Sequence, residues 1–333
     1  METGMIVLGL ETSCDETAVA VLEIGAGEIY PPVKILSNRI ASQHEVHLPY
    51  GGIFPELASR RHIEVIRPLV TEGLKIAGIG LEQIDGVAVT SLPGLVGSLL
   101  VGVSFAKALA FGRKIPFIGV NHLEGHLNAP LAEGQEVPYP HIGLIVSGGH
   151  TALYEVKKFG DYRFLGGTRD DAAGEAFDKV AKLLGLGYPG GPIVDREARK
   201  GNAGAYPLTK PKLPGYEISF SGLKTAVRSL IEKNKNISVP DLCASFQETA
   251  VDVLAEKTRS AANELQCKAM LVTGGVACNS RLREKLKEAH FASPVFSTDN
   301  AAMIAYVGGR YLQQGKQSPL SLNAAAHAAL ERL

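Results

Sequence analysis

Short apolar runs and longer stretches of mixed apolar and polar residues alternate along the chain, and glycine-rich turns separate them. Short runs predict strands, whereas apolar residues at three- and four-residue spacing predict helices. In the first half, the predicted strands are Ile6–Leu10, Thr17–Glu23, Lys34–Ser37, Gly86–Thr90 and Pro116–Val120. The predicted helices are Pro55–Ile76, Leu95–Phe111 and one that begins near His122.

The second half restarts this pattern. A strand at His141–Ser147 leads through Gly148-Gly149 to a strand at Ala152–Val156, just as two strands join through a turn near residue 10. A repeated strand–turn–strand unit indicates an internal duplication. The later predicted elements are helices at Gly174–Leu184, Lys224–Asn234, Pro240–Leu265, Ser280–Ala289 and Ala301–Val307, and a strand at Ala269–Thr273.

One long stretch lacks a periodic pattern. It begins at the turn Tyr188–Pro192, is rich in glycine and proline, and is predicted to be irregular as far as about Gly222.

Two similar α/β halves with a nucleotide in the cleft between them describe the actin-like ATPase architecture. An ordinary doubly wound sheet is the alternative, and the two hairpins favour the duplicated fold. The expected lobes are residues 1–130, which carry the predicted metal helix, and residues 131–304, which carry the nucleotide loops. A C-terminal segment, about residues 305–333, is expected to pack back on the first lobe.

Composition narrows the function classes. The 333 residues are 45% hydrophobic and include 37 glycines, which suits a nucleotide-binding α/β protein of two domains. With 34 basic and 34 acidic residues, no overall field attracts nucleic acid, so RNA binding needs a local basic patch. Two clusters are basic, and solvated helix faces are the favoured interpretation of both, with RNA binding as the alternative: Arg60-Arg61-His62 with Arg67, and Arg281, Arg283, Lys285 and Lys287.

Membrane insertion and disulfides are not expected. The uncharged stretch Gly86–Ala106 is long enough to cross a bilayer, but Pro93-Gly94 interrupts it, so a strand followed by a buried helix explains it better. The apolar run at the N-terminus is too short for a secretory signal. The four cysteines form no CxxC pair and are interpreted as reduced thiols of a cytoplasmic protein.

The pentad His122-Leu123-Glu124-Gly125-His126 is the main chemical signal. In a helix, residues four apart lie on one face, so both imidazoles can bind one metal ion. The pair alternatively caps or packs the helix. A zincin protease needs Glu directly after the first His, whereas Leu123 stands there.

Glycine turns suggest a nucleotide site. The turn Ser147-Gly148-Gly149 lets backbone N–H groups converge on an anion, although ordinary hairpins share this sequence. Gly274-Gly275 ends a strand, and Asn279 after it either binds the ligand or caps a helix. Asp178 is a candidate for a ribose hydroxyl, with Gly191 and Asp195 completing the pocket; acids near a helix start also complement its dipole.

Seven motifs together resemble the tRNA N6-adenosine threonylcarbamoyltransferases, the TsaD family, once described as glycoproteases. The resemblance runs in order from about residue 6 to about residue 310. The motifs are Glu11–Thr17, Phe54–Arg60, His122–His126, Val146–Thr151, Phe220–Lys224, Gly274–Asn279 and Thr298–Asn300.

The resemblance implies an actin-like (ASKHA) fold and transfer of a threonylcarbamoyl group from threonylcarbamoyl-adenylate to N6 of adenosine 37, in tRNAs that read codons beginning with A. It implies that His122, His126 and Asp299 hold iron(II) or zinc. From the sequence alone, an N-cap role for Asp299 or Asn300 is the favoured interpretation. The implied adenylate-binding residues are Ile145, Val146, Ser147, Gly148, Gly149, Asp178, Gly191, Asp195 and Asn279.

Archaeal and eukaryotic members carry Tyr and Asn where Ile145 and His150 stand, so this chain resembles the bacterial branch. Water or substrate must then replace the Tyr as a metal ligand. An exocyclic amine is a poor nucleophile, so a nearby base would help it, and Asp15 and Glu16 are the candidates. Simple turn chemistry is their alternative role.

The resemblance also implies partners: an inactive TsaB-like paralogue as dimer partner, a TsaE-like P-loop ATPase, and a separate synthase that makes the adenylate. An ATP-dependent small-molecule kinase of the same fold is the main rival, although it needs no HxxxH pair. A non-catalytic paralogue would be expected to lose its metal ligands, which this chain retains.

Overall fold

The computed structural model describes residues 4–50, 52–234, 236–327 and 330. They form two compact units. Unit 1 runs to Glu136 and resumes at Asp299, and unit 2 is Val137–Thr298. The chain thus changes unit six residues after, and six residues before, the expected boundaries at 130 and 304. The outermost parts of the expected segments, residues 1–3, 328, 329 and 331–333, lie outside the described residues.

Unit 1 contains a five-stranded sheet in the order β3-β2-β1-β4-β5. β1 pairs antiparallel with β2, and β2 with β3, whereas β1, β4 and β5 are parallel. All five predicted strands of the first half are confirmed, and the third is longer than expected. Their bounds are β1 Met5–Glu11, β2 Glu16–Ile24, β3 Val33–Ser42, β4 Gly86–Leu92 and β5 Phe117–Asn121.

Glycines let one helix lie directly on this sheet. A Cβ on Gly9 of β1 would come within 2.3 Å of the Ala301 carbonyl oxygen, and one on Gly308 within 2.3 Å of Ala88 Cβ. The helix that begins at Ala301 is therefore buried against the strands. The helices of unit 1 are α1 His44–His47, α2 Pro55–Ala77, α3 Val96–Arg113, α4 His122–Ala132 and α11 Ala301–Gln313, with 3₁₀ turns at Leu48–Tyr50 and Leu81–Gln83.

The uncharged stretch forms β4 and the start of α3, as predicted. Among the described residues, α3 alone is long and apolar enough to cross a membrane, with a mean hydropathy of 1.3. Helices in the core of water-soluble proteins meet the same criterion. Val103, Ala106 and Ala110 of α3 pack in the core of unit 1.

Unit 2 repeats the sheet of unit 1, with the order β10-β9-β6-β7-β8. β6, β7 and β8 are antiparallel neighbours, whereas β6, β9 and β10 are parallel. The predicted duplication is confirmed at the level of topology. The bounds are β6 His141–Val146, β7 Thr151–Lys158, β8 Asp161–Gly167, β9 Ala269–Thr273 and β10 His290–Phe291.

The prediction of an irregular stretch after Tyr188 is wrong for its first part, because Gly190–Ala198 is a helix. Pro189 and Pro192 fall at its first turn, where the missing N–H groups would have no partner inside the helix. Strand β8 and its pairing with β7 were not predicted. The helices of unit 2 are α5 Ala173–Leu183, α6 Gly190–Ala198, α7 Ser221–Lys233, α8 Val239–Glu264, α9 Ser280–Lys285 and α10 Pro294–Ser297, with a 3₁₀ turn at Gly275–Cys278.

Candidate metal centre and nucleotide-binding loops

Helix α4 presents both histidines of the pentad on one face. The Asn121 side chain caps the helix by accepting a hydrogen bond from the Leu123 N–H at 2.8 Å. The ring centroids of His122 and His126 lie 4.6 Å apart, and both side chains are buried. Gly125 between them allows close packing, because a Cβ there would lie 2.8 Å from the Ile304 side chain.

Asp299 completes the face from the segment before α11. Its Oδ1 lies 3.1 Å from His126 Nε2 and 3.5 Å from His122 Nε2, and the three ligand atoms lie within 4.8 Å of one another. Ligands at zinc or iron distances in a tetrahedral site lie about 3.3 Å apart, and the two separations from Asp299 Oδ1 are close to this value. Asn300 caps α11 by accepting from the Met303 N–H, which leaves Asp299 to this face.

The two imidazoles differ in their electrostatics. Burial lowers the pKa of His122, but the carboxylates of Glu11 and Asp299 outweigh burial and raise it to about 9. Burial lowers the pKa of His126, and the hydrogen bond to Asp299 opposes this only in part. Metal ligands must be deprotonated, so an ion that binds here displaces a proton from His122.

A buried carboxylate lies behind His122. Glu11 Oε2 is 3.0 Å from His122 Nδ1, and Glu11 is fully buried at the end of β1. Burial opposes ionisation of Glu11, but His122 outweighs it and lowers the pKa. Glu11 is not among the site residues expected from the sequence, although an acid at the end of an apolar strand indicates a buried group that needs a partner.

Of the two candidate bases, Asp15 lies in the turn between β1 and β2, and Glu16 is the first residue of β2. Burial, together with the negative charges of Asp299 and Asp15, raises the pKa of Glu16 well above its usual value. The backbone oxygen of Asp15 accepts from the Gln43 N–H at 3.0 Å. Beneath the turn, His62 Nε2 lies 3.0 Å from the Cys14 carbonyl oxygen, so this histidine supports the turn.

In unit 2, the predicted anion-binding turn lies against the start of α5. Ile145 and Val146 are buried in β6, and the turn closes through a 2.8 Å hydrogen bond from the Ser147 N–H to the His150 oxygen. Gly148 and Gly149 are exposed, and a Cβ on either would meet no atom within 4 Å. Helix N-termini and open glycine turns both favour anions.

Contact between the turn and α5 is direct. The Gly174 N–H donates to the Ser147 oxygen at 3.1 Å, and a Cβ on Gly174 would lie 2.8 Å from Gly148 Cα. Only a glycine fits here without moving the turn.

Asp178 and Gly191 lie together, as expected. Asp178 Oδ1 accepts from the Gly190 N–H at 2.6 Å, so the carboxylate caps α6. Burial raises the pKa of Asp178, against the effect of the N–H groups of Gly190 and Gly191. Helix α6, which was not predicted, is thus held at its start by Asp178, which was predicted to be a site residue.

Asp195 and Asn279 are connected through Ser280, which was not predicted to be a site residue. Asp195 Oδ1 accepts from the Ser280 hydroxyl at 2.7 Å, and Asn279 precedes Ser280. Asn279 Oδ1 caps α9, while its Nδ2 donates to Gln247 at 2.8 Å. The carboxyl ends of β6 and β9 lie beside these side chains, and ligands of parallel sheets bind at that edge.

The motif Phe220–Lys224 is tied to the segment that leads into α5. Asp170 accepts hydrogen bonds from the hydroxyls of Ser219 and Ser221 and from the Phe220 N–H. Asp171 accepts from Lys224 at 2.8 Å. These contacts anchor α7 beside the anion-binding turn of the same unit.

Only part of each basic cluster is available to bind RNA. His62 is buried, so it does not extend the cluster Arg60-Arg61 on the surface. Arg281 and Lys285 form ion pairs with Glu248 at 2.6 Å, which offset their charge.

Comparison with known proteins gives a consistent family. A family model described as "TsaD: tRNA N6-adenosine threonylcarbamoyltransferase" matches residues 34–306. A tRNA N6-adenosine threonylcarbamoyltransferase of Syntrophotalea carbinolica is 48% identical over 98% of this chain and 98% of its own length. One of Syntrophus aciditrophicus is 49% identical over 98% of each chain.

Solved structures resemble the fold at low identity. HypF of T. kodakarensis has a TM-score of 0.62 at 14% identity, covering 94% of this chain and 48% of HypF. Component A of the (R)-2-hydroxyglutaryl-CoA dehydratase of Acidaminococcus fermentans has a TM-score of 0.52 at 16% identity, covering 94% of this chain and all of that one. The fold is therefore of the actin-like ATPase (ASKHA) type, as predicted.

Proposed function

This chain belongs to the TsaD family of tRNA N6-adenosine threonylcarbamoyltransferases, and on that premise we propose which of its residues carry out the transfer. The protein is a tRNA-modifying transferase that moves a threonylcarbamoyl group from threonylcarbamoyl-adenylate to N6 of adenosine 37, in tRNAs that read codons beginning with A. Convergence of His122, His126 and Asp299 is the observation that carries the assignment of residues.

These three side chains hold one divalent ion, either iron(II) or zinc. Two neutral imidazoles and one carboxylate leave coordination positions open, which is typical of catalytic rather than structural sites. When bound, such an ion supplies Lewis acidity toward a carbonyl or carboxylate oxygen of the substrate. Asp299 keeps 20% of its side chain exposed, so a substrate can approach this face.

The residues of unit 2 hold the adenylate. The N–H groups of Gly148 and Gly149 bind the phosphate beside the start of α5, Ser147 closes the turn that presents them, and Ile145 and Val146 fix the strand that carries it. Asp178 and Gly191 lie close enough together to contact one sugar. The remaining contacts to the nucleoside come from Asp195 and Asn279.

The transfer itself exchanges one bond for another. A bond forms between N6 of the adenosine and the carbamoyl carbon, and the bond from that carbon to the phosphate oxygen breaks, so AMP leaves with the electron pair. The proton from N6 passes to a base. Asp15 and Glu16 are the candidates for this base, and the raised pKa of Glu16 makes its carboxylate, when ionised, a stronger proton acceptor than an ordinary glutamate.

The protein works in the cytoplasm with partners. Its four cysteines are free, in keeping with a reducing compartment. tRNA is the acceptor, and we assign the chain a TsaB-like inactive paralogue, a TsaE-like P-loop ATPase and a synthase that supplies the adenylate.

The test is transfer of a radiolabelled threonyl group from threonylcarbamoyl-adenylate to tRNA, with partners present. Wild type should label tRNA and His126→Ala should not. His327→Ala is the matched control, because this histidine is exposed in the same unit and should remain active. Absence of label with wild type, together with ATP-dependent phosphorylation of a small metabolite, would instead support a kinase.

A further inference from the structure

We infer that Glu11 is a positioning residue for the metal face: by accepting the Nδ1–H of His122, it aims the other ring nitrogen at the bound ion. The inference rests on the proposed metal centre and concerns a side chain outside its ligand set. Histidines that bind metals commonly donate their second N–H to a carboxylate, which fixes the tautomer and the ring orientation.

The tautomer of His122 follows from its neighbours. Nδ1 lies 3.0 Å from Glu11 Oε2 and 3.2 Å from Ser13 Oγ, whereas Nε2 lies 3.5 Å from Asp299 Oδ1. An ionised carboxylate only accepts hydrogen bonds, so Nδ1 carries a proton toward Glu11. When an ion displaces the second ring proton, the lone pair needed for coordination is left on Nε2, on the side of His126 and Asp299.

Glu11 is itself held in place on both oxygens. Oε1 accepts from the Ser13 N–H at 2.5 Å, and Oε2 accepts from the Thr90 hydroxyl at 2.5 Å. All three residues are at most 3% exposed. Thr90 lies on β4, which pairs with β1, so the sheet of unit 1 fixes the position of the carboxylate.

The hydrogen bonds around Glu11 suit a carboxylate but not the amide of Glu11→Gln. If the Glu11→Gln amide nitrogen replaces Oε1, it meets the Ser13 N–H, which is also a donor. If it replaces Oε2, it donates to His122 Nδ1, and the ring proton must move to Nε2, where it blocks coordination. Either orientation of the glutamine therefore weakens the metal site.

His126 provides the contrast within the same face. Its Nδ1 is buried and has no hydrogen-bond partner among the described residues. Asp299 contacts this ring on its Nε2 side only, whereas Glu11 also contacts His122 on its Nδ1 side. Glu11 and Asp299 together carry two negative charges, which match the charge of one divalent ion.

The experiment measures metal affinity rather than turnover. Metal-free wild type, Glu11→Gln, Thr90→Val and the control Glu23→Gln are titrated with zinc against a chromophoric chelator, and their cobalt(II) complexes are compared by visible absorption. Glu23 lies on β2 in the same sheet but outside this network. Circular dichroism of the metal-free proteins confirms that each is folded.

We expect Glu11→Gln to bind zinc about 10- to 100-fold more weakly, with an altered cobalt spectrum, as is usual when a carboxylate behind a ligating histidine is lost. Thr90→Val should show a smaller loss, because the carboxylate remains but one of its donors is gone. Glu23→Gln should match wild type in both measurements.

Affinity of Glu11→Gln within about twofold of wild type, with an unchanged cobalt spectrum, would overturn the inference. If Glu11→Gln does not fold, Glu11→Asp replaces it, since the shortened side chain keeps the charge but withdraws from Nδ1; wild-type affinity there would also overturn it. Wild type that binds neither ion would contradict the proposed metal centre itself, and the role of Glu11 with it.

Discussion

The turn between β1 and β2 and the turn between β6 and β7 occupy the same place in two sheets of the same strand order, but their chemistry is opposite. The first has Glu11 buried before it and Asp15 and Glu16 within or after it. The second consists of Ser147 and two exposed glycines beside the start of α5. The two sheets share one topology, and the residues at each turn decide whether a cation or an anion is favoured.

Burial amplifies this difference. Burial and the carboxylates of Asp299 and Asp15 raise the pKa of Glu16, and a cation at the first turn relieves that repulsion. Backbone N–H groups around the second turn present partial positive charge without any titratable side chain. In the proposed assignment, the duplicated fold separates metal chemistry in unit 1 from phosphate binding in unit 2, and each part can be tested on its own.

The largest effect is expected for Glu16→Gln in the first turn. Loss of a general base lowers kcat by about 10²- to 10⁴-fold, whereas the KM for the adenylate should change little, since the proposed adenylate contacts lie in unit 2. Single-turnover transfer to tRNA measures this split. Glu23→Gln, on the same strand, should be fully active. A kcat near that of wild type for Glu16→Gln would show that Glu16 is not the base, leaving Asp15 or neither residue in that role.

A titratable residue distinguishes the two sheets at the start of their central strands. His141 begins β6, where Met5 begins β1. Burial, only partly opposed by the Pro138 carbonyl, lowers the pKa of His141 from 6.5 to about 4. His141 takes up a proton near pH 6.5 in the unfolded chain but only near pH 4 in folded unit 2. Its contribution to the free energy of unfolding is therefore fully present above pH 6.5 and is lost as the pH falls toward 4.

The free energy of unfolding lost through protonation of His141 approaches about 3 kcal/mol near pH 4. Hydrogen exchange of β6 amides between pH 6.5 and 4.5, extrapolated to a common intrinsic rate, measures it. His141→Phe should remove this slope while keeping the ring stacked on Tyr139. The exposed His327→Gln should keep it, and an unchanged slope in His141→Phe would assign the acid sensitivity elsewhere.

What could be predicted from the sequence was local. Spacing alone placed His122 and His126 on one helical face, and apolar runs ending in glycine located both hairpins. Asp299 came from the family resemblance, because its partner His126 is 173 positions away. Glu11 and His122, which are 111 positions apart, meet because β1, β4 and β5 lie side by side in the sheet and α4 begins directly after β5.

The errors have the same origin. Helix α6 was missed because its prolines and glycines are typical of turns, whereas Asp178, twelve positions earlier, caps its start. Strand β8 was missed because its side chains are mostly half-exposed or exposed, and its pairing with β7 decides its conformation. In both cases a contact between elements outweighed the local signal.

The smallest of these effects is expected at the second turn, and it tests the comparison most directly. A Cβ at Gly148 would meet no protein atom within 4 Å, so Gly148→Ala should fold with a melting temperature within about 2 °C of wild type. The methyl group would nevertheless occupy space that we assign to the phosphate, and the KM for the adenylate should rise about 10-fold with little change in kcat. Gly174→Ala is the matched variant: its Cβ would lie 2.8 Å from Gly148 Cα, so it should cost about 1–3 kcal/mol of stability. If Gly148→Ala changes neither KM nor stability, the second turn is an ordinary hairpin, and the opposite chemistry of the two turns reduces to the acids of the first.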